Sequence, residues 1–372
     1  MKVRYSYLPQ QFADIDPLLA EIKALVQSGD FTLGQALERF EARFASLIGT
    51  SHAIGVGSGT DAIKLSLKAL GIGHGDEVIT AANTFIATVG AIAEIGARPV
   101  FVDCTDTFCM DVSQVPAAIT KRTRAIVPVH YTGYMTDMAK LVPMAEAHHL
   151  PIVEDACQAI LAAQDGRKAG TWGQAGAFSL HPLKNLNVWG DGGVIVTSND
   201  KLAASLRLLR NHGMRNRDEI AVLGYNSRLD TLQAVVGNWL IGSTEEITEK
   251  RIANAAYYDQ QLGRIGGITI PSREGNARRV FHLYTIIAEH RDALLAHCLE
   301  RGIESKVHYP IPVYLQDGLR HLGHQPGDFP RTDFQAANSI SFPCDQHLSR
   351  AEQDHVIASV AGFYASQPRS HG

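Results

Sequence analysis

Residues 150–159 read LPIVEDACQA, an apolar run that ends on two adjacent acids. Leu150, Ile152 and Val153 do not alternate with polar residues, so the run reads as a strand buried on both faces, as in a parallel sheet. Glu154 and Asp155 stand at its C-terminal end, which is where open α/β sheets bind ligands. Working outward, the same texture recurs. Upstream, DEVITA, RPVFVD and TRAIVPVH read as strands, separated by the helical stretches TFIATVGAIAEIG, QVPAAIT and DMAKLVPMAEAHH. Strand-helix alternation of this kind predicts a mainly parallel sheet between layers of helices. Residues 14–28 and 32–49 have helical spacing. HAIGVGS reads as a strand, and GTDAIKLSLKALG as a helix stopped by Gly71.

Downstream, AGAFSL and GGVIVTSN read as paired strands. Residues 201–212 read as a basic helix, and TLQAVVGNWLIGSTEEITEKRIANAAYYDQQL as one long or two abutting helices. From about residue 265 the texture becomes α+β: VFHLYTIIA and ESKVHYPIP are strand-like, RDALLAHCLERG and SRAEQDHVIASVAGFYA helical. A chain of 372 residues has room for two domains. The expected division is a large domain over 1–250, including the N-terminal helical segment, and a smaller α+β domain over 251–372.

Composition narrows the functional classes. Hydrophobic content of 45% and charged content of 19% suit a globular protein, and a net charge of −4 argues against a nucleic-acid-binding surface. Five scattered cysteines without a CxxC favour neither a disulfide framework nor a zinc site. The 16 histidines are dispersed, no HExxH occurs, and no metal site is expected. No apolar run approaches the ~18 residues of a membrane span, and the first residues lack the apolar core of a signal peptide. A cytoplasmic protein is expected.

Three stretches can carry chemistry. GVGSGTDAIKL (55–65) sets Ser58, Gly59 and Thr60 at a helix start. Free N–H groups, hydroxyls and the helix dipole there suit a phosphate, although plain N-capping explains Ser58 or Thr60 equally well. Asp155 can pair with a cationic ring nitrogen or simply brace a loop. FSLHPLKNLNVWGDGGVIVT (178–197) frames Lys184 between a His-Pro corner and a glycine-rich return, with Ser179 as a further hydroxyl for an anion. Alone, Lys184 would pass for a lysine on an exposed hairpin. Together, a phosphate cradle, a carboxylate and a framed lysine are what pyridoxal 5'-phosphate requires. The lysine forms the Schiff base, and the carboxylate keeps the ring nitrogen protonated.

On these residues the chain resembles the DegT-type sugar aminotransferases, pyridoxal-phosphate enzymes of the aspartate aminotransferase fold (fold type I). The resemblance runs from FTLGQALERFEARFA to SFPCDQHLS and is carried by GSGTDAI, GDEVITAANTFIAT, IVEDACQA, FSLHPLKNL…GDGG, GYNSRLDTLQA and HYPIPVYLQ. It implies that Lys184 is the Schiff-base lysine and proton shuttle and that Asp155 pairs with the pyridine nitrogen. It also implies that Gln158 lies beside the ring hydroxyl, that Gly59, Thr60 and Ser179 hold the phosphate, and that Phe85 stacks on the ring. Asn226 would reach the phosphate from a neighbouring subunit, which implies a homodimer with shared active sites.

The implied reaction moves an amino group from an amino acid, glutamate, to a keto or aldehydo sugar, passing through pyridoxamine 5'-phosphate. The default acceptor is a nucleotide-linked 3-keto or 4-keto hexose, in amino-sugar, surface polysaccharide (lipopolysaccharide) or natural-product biosynthesis. Alternatives are an 8-oxo 3-deoxy-octulosonate acceptor or a sugar dehydratase or lyase of the same fold; relatives that dehydrate have histidine where this chain keeps Lys184. His308 is a candidate substrate contact, as is Arg228 for anionic substrates. Asn187, Trp189 and Tyr314 depart from the family's usual residues and are expected to bear on substrate choice.

Overall fold

Seven strands form the central sheet of the computed structural model, which describes residues 1–273 and 275–366. Glu274 and residues 367–372, the end of the expected C-terminal domain, lie outside the described residues. The strands are β1 His52–Val56, β2 Glu77–Ala81, β3 Arg98–Val102, β4 Thr123–Val127, β5 Val153–Asp155, β6 Ala175–Ser179 and β7 Gly193–Thr197. β2 pairs in parallel with β3 and β4, and β5 in parallel with β6. Parallel bridges Ile126–Ile152 and Val129–Asp155 join β4 to β5. β7 lies antiparallel between β6 and β1. The spatial order is therefore β3-β2-β4-β5-β6-β7-β1, with β7 alone reversed. Helices fill the connections from β1 through to β5, the β5–β6 connection is made of turns and two-residue strands, and the short β6–β7 return carries Lys184.

Both faces of the sheet are covered, which is why its strands lack polar alternation. In β7, Val194 and Val196 point to one side. There they meet Phe178 of β6, Phe40 and Phe44 of the helix Gln35–Ile48, and Val235 of the helix Thr231–Ile241. Ile195 points to the other side, against Ala62 and Leu65 of the helix Gly59–Ala69 and Leu206 of the helix Asp200–Leu209. Phe44 and Phe178 meet edge to face at 5.3 Å. Truncating either fully buried ring to alanine would cost roughly 3–5 kcal/mol.

A second sheet, antiparallel throughout, orders β8 Ile268–Thr269, β9 Tyr284–Ala288 and β10 Ser339–Phe342 as β8-β9-β10. Leu294 and Cys298 of the helix Arg291–Glu300, with Val356 and Val360 of the helix Arg350–Ser366, share a core with it. The helix Thr244–Leu262 serves both cores: Ile247 packs in the first, and Ala255, Tyr258 and Leu262 in the second. We propose that the two parts divide along this helix, which spans the expected 250/251.

Two elements differ from the sequence reading, and one alternative it left open is decided. ESKVHYPIP forms no strand; Lys306 makes a single bridge to Ser341. Pro310 and Pro312 have no N–H to continue a ladder, and the segment instead runs past the cavity described below. VFHLYTIIA becomes a strand only from Tyr284. Ahead of it, the Val280 and Leu283 N–H groups donate to Gly133 (3.1 Å) and Thr132 (3.2 Å) carbonyls. The region 230–262 resolves into two helices, Thr231–Ile241 and Thr244–Leu262, parted at Gly242–Ser243.

Candidate active site

The helix Gly59–Ala69 begins beside the end of β6. Ser58 caps it, its hydroxyl accepting the Asp61 N–H at 3.0 Å. The Gly59 and Thr60 N–H groups are then at a helix start, where no carbonyl of the same helix can reach them. Two glycines allow this packing. A Cβ on Gly193 of β7 would sit 2.2 Å from the Ser58 carbonyl oxygen, and a Cβ on Gly59 would sit 2.8 Å from both Cys157 Sγ and Ser179 Cβ. The backbones close into a small cup with N–H groups and the Thr60 and Ser179 hydroxyls at its rim, a donor set suited to a phosphate.

The two acids of β5 face opposite ways, as successive strand residues must. Glu154 is fully buried and accepts hydrogen bonds from His130 Nε2 (2.9 Å) and the N–H groups of Gly170 (2.8 Å), Trp172 (2.6 Å) and Gly173 (2.7 Å). It braces the loop before β6. Asp155 turns to the cavity, and its carboxylate accepts from the Thr88 hydroxyl (2.7 Å) and the Cys157 N–H (3.1 Å). Thr88 is itself held by Thr84 at 2.7 Å.

After β6 the chain turns through Pro182, and the Lys184 N–H closes the turn on the His181 carbonyl at 2.8 Å. The Lys184 amine lies 3.5 Å from His282 Nε2. Gly59, Thr60, Asp155, Gln158, Ser179 and Lys184 thus open on one cavity of about 400 Å³. Gln158 accepts the Thr132 N–H at 2.7 Å through its amide oxygen, which leaves its NH₂ group for a ligand. Phe85 also lines the cavity; it is 48% exposed, not a core ring, and lies 5.3 Å from Tyr309. His308 forms part of the far wall, with Nδ1 2.9 Å from the Ser341 hydroxyl.

The cavity favours neutral bases. Burial lowers the Lys184 pKa, against the upward pull of Cys157 and Asp155. His282 is pushed well below the ordinary histidine value by burial first, then by the charges of Lys184, Arg251 and other neighbours. His308 falls from 6.5 to about 4 through burial, Lys306 and Lys184. Between those two values the unfolded chain carries a proton on His308 that the folded chain refuses. Stability therefore drops as pH falls from about 6.5 towards 4, by roughly 3 kcal/mol from this residue alone. His282 adds in the same direction. Urea midpoints at pH 7 and 4.5 should fall less for a His308→Gln variant than for the wild type. An equal fall would refute the assignment.

Five candidates lie elsewhere in this chain. Asn187 is fully buried, with its amide between Gln11 and the Lys184 carbonyl. Trp189 packs edge-on against Phe12 and exchanges two 2.8 Å hydrogen bonds with Gln233. Tyr314 is buried in a separate core beside Phe329 and donates to Asp333. Arg228 bonds Asn211 at 2.9 Å in a surface depression shared with Asn226, whose exposed side chain does not line the Lys184 cavity. The positions read as substrate contacts at 187, 189 and 314 are taken up by packing and internal hydrogen bonds.

Conversely, Thr88, Arg251, His282 and Tyr309 line the cavity without having been singled out. Thr88 had a legible signal, one helical turn beyond Phe85. His282 and Arg251 had none, being brought in by long-range packing. Among the described residues, no group of three or more His, Cys, Asp or Glu could hold a metal ion, and no helix is long and apolar enough to cross a membrane.

Residues 14–361 match the DegT/DnrJ/EryC1/StrS aminotransferase family. The chain belongs to this family. Among relatives of this DegT-type chain, a dTDP-3-amino-3,4,6-trideoxy-alpha-D-glucose transaminase of Streptomyces venezuelae is 42% identical, over 92% of this chain and 90% of its own length. A "pleiotropic regulatory protein" of Geobacillus stearothermophilus is 40% identical over 98% and 99% of the two chains. The solved structure of S. venezuelae DesV superposes with a TM-score of 0.96 at 39% identity, covering 99% of this chain and all of the other. NtdA of Bacillus subtilis, solved with bound cofactor PMP, gives 0.91 at 29% identity over 98% and 85% of the chains. The DegT-type chain thus shares the α/β fold of these aminotransferases along almost its full length.

Proposed function

We propose that this protein is a pyridoxal-phosphate-dependent aminotransferase that moves an amino group from glutamate to a nucleotide-linked keto hexose, at C3. The carrying observation is the meeting of Lys184, Asp155 and the Gly59–Thr60 helix start in one cavity. The residues present fit the cofactor: an N–H and hydroxyl cup for its phosphate, a buried carboxylate for its ring nitrogen, and an amine for its aldehyde. The placement at C3 draws on the S. venezuelae relative, whose name carries the amine there.

When bound, the cofactor supplies an aldehyde that reacts with amines and a ring that draws electrons from the carbon next to the nitrogen. The chain's own residues do the rest. Asp155, fixed by Thr88 and the Cys157 N–H, holds a proton on the ring nitrogen. Lys184, whose pKa burial lowers, takes the Cα proton of the donor amino acid and later returns one to the sugar carbon that becomes the amine carbon. Gly59, Thr60 and Ser179 hold the phosphate, Gln158 directs its NH₂ to the ring hydroxyl, and Phe85 covers one ring face. Asn226 acts on the phosphate across a homodimer, a role that suits its exposed position outside the chain's own cavity. His308 is a substrate contact.

The test is an assay of purified protein with glutamate and a panel of dTDP- and UDP-linked 3-keto and 4-keto hexoses. We expect 2-oxoglutarate and a 3-amino sugar nucleotide in equal amounts. Product from a 4-keto substrate alone would overturn the C3 placement, and no 2-oxoglutarate with any member would overturn the reaction.

A further inference from the structure

The Lys184 carbonyl accepts two side-chain hydrogen bonds, from the Tyr7 hydroxyl at 3.0 Å and from Asn187 Nδ2 at 2.9 Å. Both of its lone pairs are used. Tyr7 is 177 residues away; Asn187 is only three residues on, but it is held by the distant Gln11, whose Nε2 donates to Asn187 Oδ1 at 2.9 Å. Gln11 Oε1 accepts from Gln346 Nε2 at 2.8 Å, and Gln346 Oε1 accepts from Arg251 Nε at 3.2 Å. Arg251 Nη1 then donates to the carbonyls of Phe281 (3.2 Å), His282 (3.3 Å) and Cys344 (3.2 Å). A polar chain therefore runs from the backbone of Lys184 to the backbone of His282, the two residues whose side chains meet in the cavity.

This chain is buried: Gln11 is 8% exposed, Asn187 0% and Arg251 2%. The Arg251 guanidinium also lies over the Tyr7 ring at 5.0 Å. The segment carrying Tyr7 and Gln11 is anchored at its other end to the second part of the fold. The Val3 N–H donates to Gly302 (2.9 Å), the Val3 carbonyl accepts from Glu304 (3.0 Å), and the Tyr5 N–H donates to the Glu304 carboxylate (2.9 Å). Residues 3–11 thus strap the antiparallel-sheet region to the lysine turn. Trp189 and Phe12 pack beside the same junction.

We propose that Tyr7, Gln11 and Asn187 are positioning residues that clamp the Lys184 backbone and so aim its amine into the cavity. This builds on the transaminase role of Lys184 proposed above. A half-satisfied buried network is costly, so removing one member frees the turn. A displacement of about 1 Å at a reacting group costs on the order of 10²-fold in rate.

The test uses Tyr7→Phe, which removes one hydroxyl and keeps the ring, and Asn187→Leu, which removes the amide. We expect kcat to fall roughly 10–100-fold in each, with KM for glutamate nearly unchanged. The losses should be less than additive in the double variant, because both donors serve one carbonyl. A second readout needs no turnover. In cofactor-free protein, the pH midpoint for trinitrobenzenesulfonate labelling of Lys184, followed by peptide mass spectrometry, should rise towards that of an ordinary lysine in both variants. The exposed Lys121 serves as the internal standard.

Tyr7→Phe with wild-type kcat and an unmoved midpoint overturns the clamp, as does a lowered melting temperature without either change. If the wild type shows no transamination, the midpoint shift still decides the clamp. If the midpoint stays fixed while the wild type transaminates, the clamp alone fails.

Discussion

A Lys184→Ala variant is expected to lose transamination by at least ~10³-fold, within the range that a positioned acid-base group contributes, while remaining folded. The loss follows from where the amine sits. It lines the same cavity as Asp155 and the Gly59–Thr60 cup, and burial lowers its pKa, favouring the neutral form that can take a proton. No other lining residue can repeat that task. Lys306 is exposed at the cavity edge with its amine over the Tyr5 ring, and His282 is fixed by the backbone hydrogen bond from Arg251.

The fold should survive because the Lys184 side chain contributes little to it. Among the described residues, its amine's polar contact is the 3.5 Å approach to His282. Its folded pKa lies below the ordinary lysine value, so at neutral pH the unfolded chain holds this proton more readily than the folded one. Removing the amine lifts that penalty, and cofactor-free Lys184→Ala should melt no lower than the wild type. Lys184→Arg should be as inactive as the alanine variant, since a guanidinium stays charged at any working pH. Added methylamine should restore part of the Lys184→Ala rate and none of the Lys184→Arg rate. Borohydride treatment of the wild type should fix the cofactor covalently to Lys184. A Lys184→Ala protein forming 2-oxoglutarate at the wild-type rate would end the assignment.

Local sequence made some parts of this arrangement legible and long-range packing hid others. The strand run before Asp155, the glycines at 59 and 193 and the Pro182 turn each encode a backbone requirement that a reader can name. The family resemblance placed the cup, the acid and the lysine in one site, and the cavity brings these residues together. The stretch Asn187–Trp189 misled because departure from a family pattern does not say what a residue faces. Its partners, Gln11 and Phe12, lie more than 170 positions away. The same holds for ESKVHYPIP: β-branched and aromatic residues suggested a strand, but Pro310 and Pro312 and the approach of His308 and Tyr309 to the cavity settled it otherwise. Arg251 reads as one more basic position in an amphipathic helix. Only three carbonyls converging from residues 281, 282 and 344 give it a place.

An Asp155→Asn variant is expected to transaminate about 10²-fold more slowly, with Glu154→Gln as the contrasting neighbour. Asparagine is nearly isosteric, so contact with Thr88 and the Cys157 N–H can persist in part. The negative charge is lost, however, and with it the hold on a proton at the cofactor's ring nitrogen. A hydrogen bond to a buried charged group is worth roughly 1.5–3 kcal/mol, which corresponds to about 10–150-fold in rate. Because this stabilisation grows as electrons move into the ring, the loss should fall on kcat and leave cofactor retention largely intact. Glu154 should behave in the opposite way. Its carboxylate spends its oxygens on His130 and on three N–H groups of residues 170–173, on the face turned from the cavity. Glu154→Gln puts an NH₂ donor against those donors, so it should lower the melting temperature and leave the kcat of the folded fraction close to wild type. Two acids adjacent in sequence are thereby assigned separate tasks by strand alternation alone. If Asp155→Asn kept its kcat and lost stability instead, Asp155 would be a second brace and the ring nitrogen would need another partner.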